Sequence, residues 1–212
     1  MTIRSQDVLE LLAPLSGVLV ALDDVADEAF RQRLVGDGVA VDPISDTVLA
    51  PCDARVLQVH RAKHAITLEV RGIELMVHVG LDTVKLDGAG LTPLVTAGDV
   101  VKAGQPLLRF DTDLVAQRAV SLVTPIVIAN MASVASLEVA QGVMEAGRTV
   151  MLRVRLAPNT RISSASRGIG GSMICQRSGR EVKLQENAYE STSITKDATV
   201  ETESRIFTFH YC

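Results

Sequence analysis

From Leu11 to about Leu156 the chain is a succession of short Val/Ile/Leu-rich runs, each cut off by Gly, Pro or Asp before a helical period can establish itself. Strands need only about four to eight such residues, whereas a buried helix needs roughly ten or more, so the punctuation favours sheet. The runs Gly17–Leu22, Val39–Pro43, Asp46–Leu49, Arg55–His60, Ala65–Val70, Ile73–Val79, Pro106–Phe110, Pro125–Ala129 and Val150–Leu156 are candidate strands. Their short connections allow neighbours to pair. The expected class is all-β, an antiparallel β-sandwich or barrel-like fold with short surface helices. With 212 residues, 47% of them apolar, the chain can bury one core of about 150 residues and carry a smaller appendage.

An internal echo supports the sheet reading. LAPLSGVLVAL, Leu12–Leu22, recurs as LAPCDARVLQV, Leu49–Val59, and in each copy a Pro keeps the preceding Ala out of the helical region before the chain enters a strand. Two short helices interrupt the pattern. Asp27–Leu34 opens on a capping Asp, with Phe30 and Leu34 at i, i+4, and Asp111 to about Val120 opens on acidic residues in the same way. Val95–Pro106 has glycines placed for tight turns and reads as scaffold. After Leu156 the composition shifts to Ser, Thr, Arg and Glu, with Gly168, Gly170 and Gly171 and a final strand-like run, Arg205–Tyr211. The expected division is therefore a domain over 1–156 and an appendage over 157–212, a small α+β or partly disordered segment.

Charge and composition narrow the function. A net charge of −4 and 3% aromatics supply neither the basic stripe nor the stacking platforms of a nucleic-acid binder. No run reaches the roughly 18 apolar residues of a membrane span, and MTIRSQDVLE lacks the apolar core of a signal peptide. A cytoplasmic protein without membrane insertion is expected. Cys52, Cys175 and Cys212 are widely spaced and read as free thiols.

The chemistry concentrates in the histidines. His60, His64 and His78 fall within one short β region, while His210 has no constellation around it. His60 and His64 bound the connection HRAKH; His78 lies in an apolar strand followed by Gly80, which leaves approach to the ring uncrowded. A hairpin turning at Arg71–Gly72 places His64 and His78 at similar distances on either side of Gly72, where they meet across the pair. One neutral imidazole can then act as a nucleophile near pH 7, provided its other nitrogen donates to a fixed acceptor, while the second stabilises the charge of the transferred group. Asp82 is placed to orient donors or repel wrong substrates, and Thr83 to bond a ring or a phosphate oxygen. The alternative for His78 is a satisfied core histidine, and for His60 a loop-end side chain.

Gly72, then Leu75–Val84 as LMVHVGLDTV, resembles the active-site signature of the glucose-type enzyme IIA family of the bacterial sugar phosphotransferase system. LLAPLSGVLVALDDVADEAF, VGDGVAVDP, LAPCDARV, HAI, VVKAGQPLLRFD and LVTPIVIANM have family counterparts in the same order, over about Leu11 to Leu156. The resemblance implies an antiparallel β-sandwich that takes a phosphoryl group from phospho-HPr onto Nε2 of His78 and passes it to a cysteine of a IIB domain of a sugar permease, docking on a membrane transporter without entering the membrane. His64 matches the second histidine, which stabilises the phosphoryl group; Asp82, with Gly80 and Thr83, lies beside the site, and Gly36, Asp37 and Gly38 match a nearby turn. No cofactor and no metal are implied.

The departures are specific. A Thr that orients the second histidine in the family is Ala62 here, and aromatics of the partner-docking face are replaced by His60, Ile66 and Met76. Arg153–Arg161 resembles the start of HPr, but the position of its essential His is Asn159, with only Arg161 kept. A degenerate HPr-like remnant and an accidental likeness both remain open. Competing functions are a non-catalytic regulator using the same face, a zinc-dependent hydrolase, which lacks an HxH pair and would need Asp82 or His60 as third ligand, and a lipoyl or biotinyl carrier, which lacks the lysine at a hairpin tip.

Overall fold

A computed structural model describes residues 8–158. Asn159, Arg161, the glycine cluster and Arg205–Tyr211 lie outside the described residues, as does almost all of the expected appendage. The strands, in chain order, are β1 (Val8–Leu12), β2 (Gly17–Val20), β3 (Asp37–Pro43), β4 (Thr47–Leu49), β5 (Ala54–Val59), β6 (Ala65–Val70), β7 (Ile73–His78), β8 (Leu91–Pro93), β9 (Val100–Val101), β10 (Pro106–Phe110), β11 (Thr124–Ile128), β12 (Val134–Val139), β13 (Val143–Met144) and β14 (Val150–Leu156). Two α-helices, α1 (Glu28–Arg31) and α2 (Thr112–Arg118), complete the α and β elements.

Every expected strand has a counterpart, and every named strand pair is antiparallel. The large sheet runs β13-β2-β3-β11-β7-β6-β5-β9, with two three-stranded sheets, β1-β14-β12 and β4-β10-β8. Strands β1, β8, β9, β12 and β13 have no counterpart among the expected strands, although β1 does alternate, with Leu9 and Leu11 buried on either side of exposed Glu10. Two of them are two residues long, and β12 is buried on neither face, so the alternation that marks a half-buried strand is absent from these.

The sequence echo is a structural pairing. Leu12 N–H donates to Pro51 O at 2.9 Å, and Leu49 N–H donates to Pro14 O at 2.8 Å, so the two LAP segments bond each other reciprocally. Their surroundings match as well. Ala13 bonds Thr149 and Gly147, and Ala50 bonds Gln105 and Gly104 in the same donor and acceptor sense. The large sheet reads symmetrically outward from its central pair β11 and β7 to the short edge strands β13 and β9.

Alternation sorts the two faces of that sheet. Val39, Val41, Ile66, Leu68, Leu75, Val77, Ile126 and Ile128 point into the main core, which also takes Leu11, Leu107, Leu152 and Val154 from the smaller sheets. The opposite face carries a second cluster of Leu22, Val25, Phe30, Ala40, Leu81 and Val127, with Met76 packed against it. Strand β11 is buried along its whole length because both faces are covered, which is why it reads as an unbroken apolar run. Each large side chain so buried contributes about 1.5–3 kcal/mol.

Helix α1 covers the second cluster. Its Asp27 cap accepts from Ala29 N–H, as expected, but the helix ends after one turn. Arg33 adopts φ 56°, outside the right-handed helical region, so Leu34 does not follow Phe30 inward: Phe30 is buried and Leu34 is 68% exposed. In α2, Asp111 caps Leu114 N–H.

The β6–β7 hairpin places the histidines. Arg71 and Gly72 both have positive φ, 52° and 81°, giving a two-residue turn of the mirror-image type that matches strand twist. The register runs from Val70↔Ile73 to Ala65↔His78. His64 and His78 are therefore not equidistant from Gly72; His78 faces Ala65, and His64 lies one step further on. Asn130 fastens the turn from outside, its Nδ2 donating to Gly72 O at 2.7 Å and its Oδ1 accepting from Glu74 N–H at 2.9 Å. Asn130→Ala removes both bonds and is expected to lower unfolding free energy by about 1–2 kcal/mol in urea denaturation; an unchanged midpoint would show that the turn holds its register unaided.

Candidate functional site

His78 ends β7 on the same side as Glu74 and Met76, the face covered by α1, and is half-buried. Its Nδ1 lies 2.9 Å from Gly80 O. A carbonyl only accepts, so Nδ1 carries the proton and Nε2 is left with a free lone pair. Gly80 is required for a different reason from the uncrowded approach expected of it. With φ 66°, a Cβ there would lie 2.7 Å from Thr83 Cγ2 and 2.9 Å from Ser121 O, so only glycine brings its carbonyl under the ring.

His64 reaches the same spot by a backbone kink. In a continuous strand it would point to the opposite face from Ala65, the residue paired with His78. The turn before it, closed by Lys63 N–H to His60 O at 2.7 Å, puts Lys63 at φ 58° and frees the ring from that alternation. The His64 and His78 centroids are 4.7 Å apart at 72°, edge to face. Two more rings extend the row: His60 stands 5.7 Å from His64, and Phe30 stands 5.2 Å from His78.

Burial keeps these imidazoles neutral. It lowers the pKa of His78, against a smaller opposing effect of the Gly80 carbonyl, and it lowers that of His60. His64 is pushed down to about 3, by burial first and then by the His78 and His60 rings. The Ala62 backbone acts weakly in the other direction, yet His64 Nδ1 makes no hydrogen bond of ordinary geometry. Neutral imidazoles at pH 7 are what nucleophilic work requires.

Of the other expected site residues, Thr83 is corrected. Its side chain is fully buried and its hydroxyl donates to Val79 O at 2.6 Å, so it holds the loop and does not face the ring nitrogens. Thr124, unmarked in the sequence, does the same from β11, accepting from Gly80 N–H at 3.3 Å and donating to Leu122 O. Asp82 is in the left-handed region next to the site and pairs with Lys85 on the surface. Gly36 lies in a turn, but Asp37 and Gly38 belong to β3, where Asp37 accepts from Arg33. Ile66 is buried in the main core and Met76 packs in the second cluster, so Ile66 is not on an exposed docking face.

Among the described residues no three His, Cys, Asp or Glu side chains converge as metal ligands; of the two third ligands a zinc hydrolase could use, Asp82 is engaged by Lys85 and the His60 ring lies against Thr67 Oγ1. Cys52 is buried and its thiol is pushed up to about 11 by desolvation and then by Asp53, an inert setting. Nothing in the sequence marks Phe30 as a site residue. Its position over β7 is a tertiary contact, and the only signal is an aromatic on a capped turn in a chain with four phenylalanines.

The class these features define is an antiparallel β protein with a pair of neutral histidines at the end of a sheet strand. Residues 9–134 match the family model of the phosphoenolpyruvate-dependent sugar phosphotransferase system, EIIA 1. Similar proteins include the glucose-specific EIIA component of Borreliella burgdorferi, 41% identical over 65% of this chain and 73% of that protein, and the one of Bacillus cereus, 39% identical over 69% and 90%. The N-acetylglucosamine-specific EIICBA component of Escherichia coli is 41% identical over 70% of this chain, which spans 23% of it. The solved glucose permease IIA from Mycoplasma capricolum superposes with a TM-score of 0.67 at 33% identity, covering 72% of this chain and 99% of that one. The chain belongs to the glucose-type IIA family, the phosphoryl carriers of the sugar phosphotransferase system.

The lowered pKa of His64 fixes a sign for the pH dependence. The unfolded imidazole takes a proton near its ordinary 6.5, while the folded one resists until about 3, so the unfolded chain binds more protons in between. Stability is then full above pH 6.5 and is lost as pH falls toward 3, by up to about 1.4 kcal/mol per pH unit for one such ring. Urea midpoints measured from pH 7 to pH 5 are expected to fall, and His64→Gln to flatten the slope; equal slopes in both proteins would mean that His64 is protonated in the folded chain.

Proposed function

We propose that His78 is the phosphoryl acceptor and that the group moves in two in-line steps. In the first, Nε2 attacks the phosphorus carried on the histidine of an HPr-type donor; the donor's P–N bond breaks as the new P–Nε2 bond forms. The Nδ1 proton stays in place throughout, and the Gly80 carbonyl absorbs the positive character that the phosphorylated ring acquires. In the second step, the thiolate of a IIB cysteine attacks, and the P–Nε2 bond breaks to restore neutral His78. The observation that carries this assignment is the single hydrogen bond from Nδ1 to Gly80, which leaves Nε2 as the one basic nitrogen of that ring.

His64 assists from 4.7 Å away by donating a ring N–H to the phosphoryl oxygens, where charge develops in transfer. The burial of His64 strengthens that donation. Phe30 and Met76 give the surroundings of the pair an apolar lining. The partners are a phospho-HPr carrier and a IIB domain of a sugar permease, and the joint naming of IIC, B and A in the Escherichia coli relative supports the second of these. No helix among the described residues is long and apolar enough to cross a membrane, and the proposed working place is the cytoplasm, against a membrane transporter.

Labelling from phosphoenolpyruvate through enzyme I and HPr tests the assignment. Wild-type chain is expected to take label, His78→Gln to take none, and His64→Gln to take label but to pass it on about a hundredfold more slowly. Label on His78→Gln would move the acceptor elsewhere; an unlabelled wild type would make the chain a regulator that binds through this face.

A further inference from the structure

His64 presents a problem that its own hydrogen bonds do not solve. It is 8% exposed, and its Nδ1 is the one buried side-chain nitrogen or oxygen among the described residues left without a hydrogen-bond partner. An imidazole that must aim a donor at another group needs a fixed orientation, and here ordinary hydrogen bonding does not supply one through Nδ1. Ala62, two residues earlier, has no side-chain polar atom to offer.

The Ala62 backbone acts on the ring only weakly, so packing supplies most of the constraint, and two rings flank His64. His78 is the reacting group and changes charge and size in every cycle, so it is a poor fixed point. His60, on the other side, is anchored three times. Its N–H donates to Ala65 O at 3.0 Å, its carbonyl accepts from Lys63 N–H at 2.7 Å, and its ring Nε2 lies 3.2 Å from Thr67 Oγ1. Thr67 belongs to β6, whose register with β7 is continuous from Val70 to Ala65. The ring of His60 then meets His64 at 5.7 Å and 64°, edge to face, a geometry that resists ring rotation.

We propose that His60 is a positioning residue: pinned to Thr67, its ring holds the His64 imidazole at the angle from which it meets a phosphoryl group on His78. A loop-end side chain thereby becomes the third member of the site, acting through His64 and touching no reacting atom. The inference rests on the assignment of His78 and His64 above. It differs from a merely structural role in one respect, because it affects delivery of the group more than its acceptance.

The test uses the full chain, label from phosphoenolpyruvate through enzyme I and HPr, and a glucose-type IIB domain as acceptor, with acceptance and donation timed separately in single turnovers. His60→Ala is expected to accept label at nearly the wild-type rate and to donate about tenfold more slowly, the scale set by a small misplacement of a catalytic group. Near-isosteric Thr67→Val, and His60→Phe, which keeps an aromatic ring without the nitrogen, break the same link; each is expected to slow donation by a smaller and similar factor, and combining Thr67→Val with His60→Ala to add nothing. The His64 imidazole resonance in nitrogen-15 spectra should shift in all three variants. Wild-type donation in His60→Ala with an unmoved His64 resonance overturns the proposal, as does full additivity of the two substitutions. Absence of label on the wild type instead overturns the assignment of His78, so the two failures are distinguishable.

Discussion

The hydrogen bond from His78 Nδ1 to the Gly80 carbonyl is the contact on which the site depends. It selects the tautomer, and the tautomer selects the nitrogen available for chemistry. Much of the surrounding structure serves to bring that carbonyl back under the ring two residues after it leaves the strand. Gly80 must be glycine because Thr83 and Ser121 fill the space where a Cβ would stand. The buried hydroxyls of Thr83 and Thr124 then hold the loop from both sides, one on Val79 and one on Gly80 itself.

The fold supplies a rigid place for this loop. The reciprocal bonds between the two LAP segments, and the matching contacts around them, give the large sheet a near-symmetric order with β11 and β7 at its centre. Strand β7 is paired on both sides, with β11 and β6, and its inner face is buried, so its end has little freedom to move. The edges are left to strands of two residues, which present little unpaired backbone to other chains. Covering the outer face with Leu22, Val25 and Phe30 removes water from around His78 without closing the site completely, since the ring stays half-buried.

Most of the large sheet is legible in the sequence because its strands alternate or, like β11, form unbroken apolar runs between Gly and Pro breaks. The hairpin at Arg71–Gly72 is equally legible, and with it the proximity of His64 and His78. What the sequence does not show is how the His64 ring reaches the side of His78 despite their one-residue offset, which depends on the left-handed Lys63 and hence on the closed turn before it. Thr83 misleads because its proximity in sequence to His78 suggests the ring as its partner, whereas the turn carries its hydroxyl inward to Val79. Phe30 and Thr124 are brought in by tertiary packing from distant elements. The resemblance to the family motif points to the pair, but the role proposed for His60 lies in departures from that motif and emerges only when the unpartnered Nδ1 of His64 is seen beside it.

Which nitrogen receives the phosphoryl group is the most direct question to put to this protein. Nitrogen-15 and phosphorus-31 spectra of the chain phosphorylated through HPr give the answer by one-bond coupling. Coupling to Nε2 of His78, with its Nδ1 still protonated, is the expected result. Coupling to Nδ1 of His78, or to either nitrogen of His64 or His60, would contradict the central role given to the Gly80 carbonyl.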